Sequence, residues 1–308
     1  MPSRSSRSSN VAALLLGAAA LVAPARAHAQ ACCAGGSVVT PGRLQLHEDS
    51  LVGVQAKVGR VLGSYDVGGV FVPERAGESE LDLEQDVLGA LRVLPRGQVA
   101  VLVPIVETWR TAGQPAGTSQ LGGGVGDVNA SARYDFVEAG ESAIVPGIAL
   151  LAGLTLPTGR PPESASGPLL ADATGIGAFQ LQGALALEQT WGPWLVNATG
   201  IVAKRTEHGG ETLGTQVTLL AAGAYTFEND SALALSASYA FEGDASRGGA
   251  DVPNSGKRVT TVTVSGLWPV TDTWRVLGGL YLEPPVGSLG ANQLSAAGLT
   301  LTVIRSWS

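Results

Sequence analysis

The chain has 308 residues, of which 45% are hydrophobic and 15% are charged, and its formal net charge is −7. This apolar composition excludes a disordered protein, and 42 glycines argue against a helical bundle. The acidic balance lacks the basic footprint of a nucleic-acid-binding domain, so no nucleic-acid partner is predicted. One large β domain fits, because barrels of about 250 residues form single units.

The N-terminal end has the pattern of a secretory signal peptide over residues 1–29. Arg4 and Arg7 supply the positive charge, residues 11–22 the apolar core, and residues 27–29 (AHA) the small-residue cleavage site. We therefore expect export and cleavage after residue 29. Since no later apolar run reaches about 18 residues, any membrane crossing is expected to be made by strands.

Both cysteines, Cys32 and Cys33, directly follow the predicted cleavage site. Neighbouring cysteines rarely bond to each other, because a disulfide needs Cα atoms further apart than adjacent residues sit. Three interpretations are open: a degenerate lipobox with lipidation at Cys32, intermolecular disulfides or a thiol metal site, and a flexible tail without a role. Because a lone Cys-Cys pair is a weak metal signal, no metal and no cofactor are predicted.

Residues 122–159 contain the clearest hairpin of the chain. Their first half alternates between two faces, which is the period of a half-buried strand. One face holds Val125, Asp127, Asn129, Ser131, Arg133 and Asp135, and the other holds Gly126, Val128, Ala130, Ala132, Tyr134 and Phe136. After a turn near residue 139, a second strand runs to residues 157–159 (PTG), where a proline and a glycine stop strand pairing.

The rest of the chain repeats this hairpin. Connections near residues 96, 139, 192, 229 and 270 are short, and those near 70, 116, 165, 209, 250 and 288 are long. Short turns at one end, longer loops at the other and aromatic residues at strand ends are typical of outer-membrane barrels. The sequence therefore predicts an all-β, antiparallel up-and-down transmembrane β-barrel of about 12 strands. The predicted organisation is a signal peptide (1–29), a flexible N-terminal segment (30–48) and the barrel (49–308).

The alternative is a water-soluble β-sandwich or lectin-like barrel, whose apolar face would point inward and whose outer face would be charged. Few charged residues are available to cover such an outer surface, and most lie in loops or on the polar strand faces. A lipid-facing exterior is therefore predicted, in the bacterial outer membrane of a Gram-negative cell. Outer-membrane lipids and the barrel-assembly machinery are the expected partners.

Three motifs resemble a known family. They are GVGDVNASARYDF (residues 124–136), GLTLPTG (153–159) and DATGIGAFQLQGALALEQ (172–189). Together they resemble the outer-membrane β-barrel transporter family of the meta-pathway of phenol degradation. The resemblance covers about 70 residues clearly. It implies a porin-like transporter and establishes no substrate.

If the apolar faces meet lipid, the polar faces line a lumen, where rings of charged side chains set ion selectivity. We predict a cation-preferring or mixed-charge pore for small polar or aromatic solutes. The alternative is a lumen filled by salt bridges, since about twelve strands lie between small filled barrels and wide porins. The candidate lumen residues are Lys57, Glu80, Asp82, Glu84, Asp86, Arg92, Asp127, Asn129, Arg133 and Asp135.

Two other classes are weighed against a transporter. An outer-membrane hydrolase would need a histidine within reach of a serine, but His28 leaves with the signal and His47 and His208 are predicted at opposite ends. No G-x-S-x-G or H-E-x-x-H motif is present, so the protein is predicted not to be an enzyme. A loop-binding adhesin or structural barrel is the remaining alternative, although the loops carry no aromatic clusters.

Overall fold

A computed structural model describes residues 42–113 and 117–308, and these are built almost entirely of β-strands. The predicted signal peptide and Cys32 and Cys33 lie outside the described residues. Among those residues, no helix is long and apolar enough to cross a membrane. The single short 3-10 helix of the described part is Pro162–Ser164.

Twelve long strands form the wall of the barrel. They are β1 (Ser50–Tyr65), β2 (Ser79–Leu94), β3 (Gly97–Thr111), β4 in two segments (Ser119–Val125 and Val128–Val137), β5 (Gly147–Leu156), β6 (Gln180–Trp191), β7 (Trp194–Arg205), β8 (Gln216–Thr226), β9 (Ala232–Glu242), β10 (Lys257–Pro269), β11 (Trp274–Leu282) and β12 (Gln293–Trp307). Short strands in the connections are Phe71–Pro73, Glu211–Thr212, Ser246–Arg247, Ala250–Asp251 and Gly290–Ala291.

Each long strand pairs antiparallel with its sequence neighbours, and β12 returns to pair with β1. This closing seam runs from Ser50 opposite Trp307 to Tyr65 opposite Gln293. The prediction of a closed up-and-down all-β barrel of about twelve strands is confirmed. Closure matters because a strand edge left unpaired in lipid would hold backbone groups with no hydrogen-bond partner.

Large apolar side chains cover the outside of the wall. Outward residues such as Leu121, Leu181 and Leu299 are exposed, and alternate residues of the same strands are buried or half-buried. The reverse arrangement would be expected of a water-soluble barrel. The predicted apolar exterior is therefore confirmed, and in water alone it would carry a large free-energy cost.

The two ends of the barrel differ. The turn end has the connections at 95–96, 138–146, 192–193, 227–231 and 270–273, together with the first residue of β1 and the last of β12. The loop end has the connections at 66–78, 157–179, 206–215, 243–256 and 283–292, together with residues 112–113 and 117–118. Edge-on aromatic contacts join Tyr134 with Phe136, and Tyr225 with both Trp194 and Phe227, at the turn end. This is the pattern of an interfacial aromatic belt.

One strand departs from the sequence prediction. The expectation of unbroken alternation over residues 122–136 is wrong at Gly126 and Asp127, where β4 is interrupted. The carbonyl oxygen of Pro104 in β3 accepts the Gly126 N–H at 2.8 Å. Since the N–H and C=O of a strand residue point to the same neighbour, the N–H that proline lacks is the one that would have faced β4. The ladder breaks at this level, and Val125 lies on the outer face at 49% exposure instead of sharing a face with Asn129.

Candidate functional site

Polar side chains line the inner face of β2, on the side opposite to its exposed aliphatic residues. Two carboxylates of this row contact cations. The Arg110 guanidinium donates to Glu80 at 2.8 Å, and the Lys57 ammonium donates to Glu84 at 3.4 Å. Lys57 also lies 5.2 Å from the ring centroid of Tyr281, so it is held between a carboxylate and an aromatic face.

The other two carboxylates of β2 contact neutral donors. The Thr108 hydroxyl donates to Asp82 at 2.7 Å, and the Gln55 amide donates to Asp86 at 3.1 Å. The second oxygen of Asp86 accepts no hydrogen bond from the described residues. The row of four carboxylates is here called the acidic column (Glu80, Asp82, Glu84 and Asp86). Two of its members contact a cation and two contact only neutral donors among the described residues.

The segment that precedes β1 occupies the turn end of the lumen. Leu44 is 5% exposed and packs in a cluster with Leu51, Leu88, Ala90, Ala100 and Ile304. The Gln98 side chain holds the segment by its backbone, accepting the Leu44 N–H at 3.0 Å and donating to the Gly42 carbonyl at 3.3 Å. Residues 42–49, here called the N-terminal plug, thus fill one end of the barrel.

Two ion pairs with buried carboxylates fix the N-terminal plug to two strands. Glu48 pairs with Arg275 of β11, and both side chains are buried. Burial raises the pKa of Glu48, but the hydrogen bond and the charge of Arg275 outweigh it, so the net pKa lies below the ordinary value. Arg43 pairs with Glu188 of β6 at 2.5 Å.

The remaining predicted residues of the turn half hold this arrangement in place. The Arg92 guanidinium donates to the Glu48 carbonyl at 2.9 Å. Arg133 bridges Asp135 at 2.7 Å and Glu188 at 3.1 Å, and these groups lie beside the N-terminal plug. Nearer the loop end of β4, the Asn129 amide donates to the Thr155 hydroxyl at 3.1 Å.

At the loop end, the β5–β6 loop (residues 157–179) folds against the inner face of β3 and β4. Arg110 donates to the Leu169 carbonyl and the Leu169 N–H donates to Gln120, both at 2.9 Å. Asp172 is buried and accepts the Ser166 N–H at 2.9 Å and its hydroxyl at 2.7 Å. The second mouth of the barrel is therefore also occupied, although a cavity of about 340 Å³ lined in part by Glu80, Arg110 and Leu169 remains there.

The same loop replaces a missing strand partner. Residues 119–125 of β4 pair with β3 on one side. Within residues 42–113 and 117–308, no strand pairs with their other side, because β5 stops at Leu156. Asp127, at the interruption of β4, accepts the Gly159 N–H at 2.9 Å and the Ile176 N–H at 2.8 Å. The Thr174 hydroxyl donates to the Val125 carbonyl at 2.8 Å. Asp127 thus anchors the β5–β6 loop over a gap in the wall.

A further contact ties this loop to the β7–β8 loop. His208 contacts Glu163 there, and both are partly exposed. Pro161 and Gly177 lie beside the His208 ring. Among the described residues, no hydrogen bond joins His208 to a serine. No group of three histidine, cysteine, aspartate or glutamate side chains able to hold a metal occurs within residues 42–113 and 117–308.

Several lumen residues were not among the sequence candidates. Arg110 and Thr108 share the inner face of β3 with Gln98, so the alternation of that strand carried the signal for them. The alternation of β11 gave a weaker signal for Tyr281. The pairing of Glu48 with Arg275 joins residues 227 positions apart, and no local pattern indicates it.

Comparison with one solved structure supports the fold. The chain resembles the crystal structure of an outer membrane channel from Pseudomonas putida F1, with a TM-score of 0.70 and 15% sequence identity over 87% of this chain and 100% of that one. At this identity the likeness shows the fold, which is the fold that the sequence resemblance implied. The translocator domain of the autotransporter NalP from Neisseria meningitidis aligns over 97% of this chain and 98% of that one, with 9% identity and a TM-score of 0.48.

No protein-family model matches the chain, and no match was found among curated proteins.

Proposed function

We propose that the protein is a channel of the bacterial outer membrane for small solutes, with an acidic, narrow lumen. The observation that carries this proposal is the acidic column on the inner face of a closed barrel whose outer face is apolar. The fold shared with the Pseudomonas putida outer membrane channel supports the same class. A binding or structural barrel with a permanently filled lumen is the alternative.

Because both mouths are occupied, transport along the barrel axis requires both the N-terminal plug and the β5–β6 loop to move. The N-terminal plug is held mainly by two ion pairs and one apolar cluster. The β5–β6 loop is held by hydrogen bonds between its backbone and the side chains of Arg110, Gln120 and Asp127. A hydrogen bond to a charged group contributes about 1.5–3 kcal/mol, whereas breaking a buried ion pair costs about 3–5 kcal/mol, so the loop is the easier barrier to displace. We therefore assign gating first to the β5–β6 loop.

The proposed selectivity follows from the unpaired charge of the acidic column. Replacing Asp82 and Asp86 by asparagine removes the two carboxylates that no cation contacts, and cation preference should fall. The measurement is the reversal potential of the refolded mature chain in a planar bilayer under a salt gradient. Lys204→Gln is a matched control, because Lys204 lies on the outer face of β7.

Two results would contradict this assignment. An unchanged reversal potential in the double variant would remove the acidic column from selectivity. A folded barrel that gives no current steps, even after removal of residues 30–49, would favour the filled, non-transporting alternative.

A second route is favoured by the gap beside residues 119–125. An apolar or aromatic solute could leave the lumen sideways into the membrane there, without crossing the plugged turn end, once the β5–β6 loop moves. Asp127→Ala should speed the passage of a small aromatic probe into vesicles more than it raises ion conductance. Asp127→Asn, which keeps one acceptor oxygen, should have a smaller effect. Equal gains in both readouts would favour an axial route alone.

A further inference from the structure

An arginine on the outer face of the closing strand stands out from the apolar surface around it. Arg305 lies near the end of β12 and is exposed, on the same face as Val303 and Trp307. Its neighbours across the strand pairs are Val52 of β1 and Trp274 of β11. A guanidinium in this position faces the membrane rather than the lumen.

Two indole rings hold this side chain. The Arg305 guanidinium carbon lies 4.9 Å from the ring centroid of Trp307 and 5.5 Å from that of Trp274. Such distances are those of cation–π contacts, which fix a guanidinium plane against aromatic faces while leaving its N–H edge free. Both tryptophans are themselves partly exposed, at 39% and 41%.

The charge of Arg305 has no carboxylate partner. Among residues 42–113 and 117–308, no hydrogen bond or ion pair reaches its guanidinium, and its contacts are the two rings. Asp49, just before β1 at the same end of the barrel, contacts Arg92 instead, at 3.9 Å. Arginine offers five N–H donors in a planar fork, and leaving them unpaired beside an apolar surface is unfavourable.

The depth of the side chain indicates what satisfies it. Trp274 begins β11 and Trp307 ends β12, so Arg305 lies at the turn-end rim, where the apolar outer face meets the aromatic belt. Lipid phosphates lie at this level of a bilayer, and arginine binds phosphate oxygens in a bidentate manner. Arg305 of the outer wall, Trp274 and Trp307 are here called the rim clamp.

We propose that the rim clamp binds the phosphodiester of a phospholipid in the leaflet at the turn end. The rings position the guanidinium, and the acyl chains lie along Val52, Val54 and Val303, which are exposed on the same outer surface. The bound lipid bridges β11, β12 and β1. It therefore stabilises the seam at which the barrel closes. This proposal is independent of whether the lumen conducts.

The test counts lipids retained by the refolded mature chain in native mass spectrometry from maltoside micelles containing phosphatidylglycerol. Wild type should retain one lipid that Arg305→Gln binds about tenfold more weakly, the loss expected for charge-assisted hydrogen bonds. Arg60→Gln is the matched control, because Arg60 is an exposed outer-face arginine of β1 with no ring beside it among the cation–π contacts, and it should leave that lipid in place. Arg305→Lys should be intermediate, and it serves as the second variant should the glutamine form fail to fold.

Four outcomes would overturn the proposal. Equal phosphatidylglycerol retention by wild type and Arg305→Gln would remove the arginine from lipid binding. Equal retention of diacylglycerol, which has the chains without the phosphate, would show apolar contact alone. Displacement of the lipid by inorganic phosphate would indicate a site for the free anion. A variant that assembles slowly in cells but binds lipid normally would assign the rim clamp to the assembly machinery instead.

Discussion

Asp172 shows how a single carboxylate organises the loop that fills one mouth of the barrel. The backbone N–H and hydroxyl of Ser166, with Arg160, hold the pKa of Asp172 well below its ordinary value of 3.8. A carboxylate with a lowered folded-state pKa stabilises the folded loop at pH above its ordinary value, and this stabilisation is lost as the pH falls through the folded pKa. The loop should therefore stay ordered in mild acid and loosen only in strong acid.

The corresponding prediction concerns Ser166→Ala, which removes one donor to Asp172 and so raises the pKa of that carboxyl. The pH below which pepsin cuts within residues 160–173 should rise relative to wild type. Ser164→Ala is the control, since no side-chain hydrogen bond of Ser164 is present in the described structure. The same cleavage profile in all three proteins would mean that Asp172 does not order the loop.

At the scale of elements, the N-terminal plug rests on the buried pair of Glu48 and Arg275. Arg275→Gln leaves Glu48, at 2% exposure, without its cation. Removing one member of a buried pair typically costs about 3–5 kcal/mol, whereas replacing both members costs less. The single variant should therefore lower the urea midpoint and raise the conductance, and adding Glu48→Gln should restore part of the midpoint. A lower midpoint with unchanged conductance would show that the N-terminal plug does not limit flow.

The elements also show which features the sequence could predict. Strands such as β2 were evident because the pleat places alternate residues on opposite faces, so Leu81 and Asp82 had to separate. The break in β4 was hidden, because residues 122–136 alternate through it. Pro104 was the available signal, since a proline inside a strand removes a ladder donor. The plug contact between Leu44 and Gln98 spans 54 positions and depends on the closed barrel, so no local pattern carries it.

At the scale of the whole molecule, the strand number and the up-and-down strand order followed from the alternation of short and long connections. The filling of the lumen could not be predicted in this way. The same alternation of polar and apolar residues fits inner side chains that face water and inner side chains that pair with one another. The acidic column illustrates this: two of its members found cations on β1 and β3, and two found neutral donors. Sequence period fixes which side of the wall a residue occupies, and its partner is decided by neighbouring strands.

The orientation of the wall in a bilayer makes a final prediction. Leu185, half-exposed on the outer face, lies midway along β6 opposite Leu150 and Gly200. An arginine there would meet the bilayer interior and should destabilise the barrel by about 2–4 kcal/mol, whereas one near an interface costs about 0–1 kcal/mol. The measurement is the urea unfolding midpoint in phospholipid vesicles, with Leu181→Arg near the loop end as the control. In a water-soluble barrel, exchanging either exposed leucine for arginine would be neutral or favourable, so equal midpoints for both variants would contradict a membrane-spanning wall.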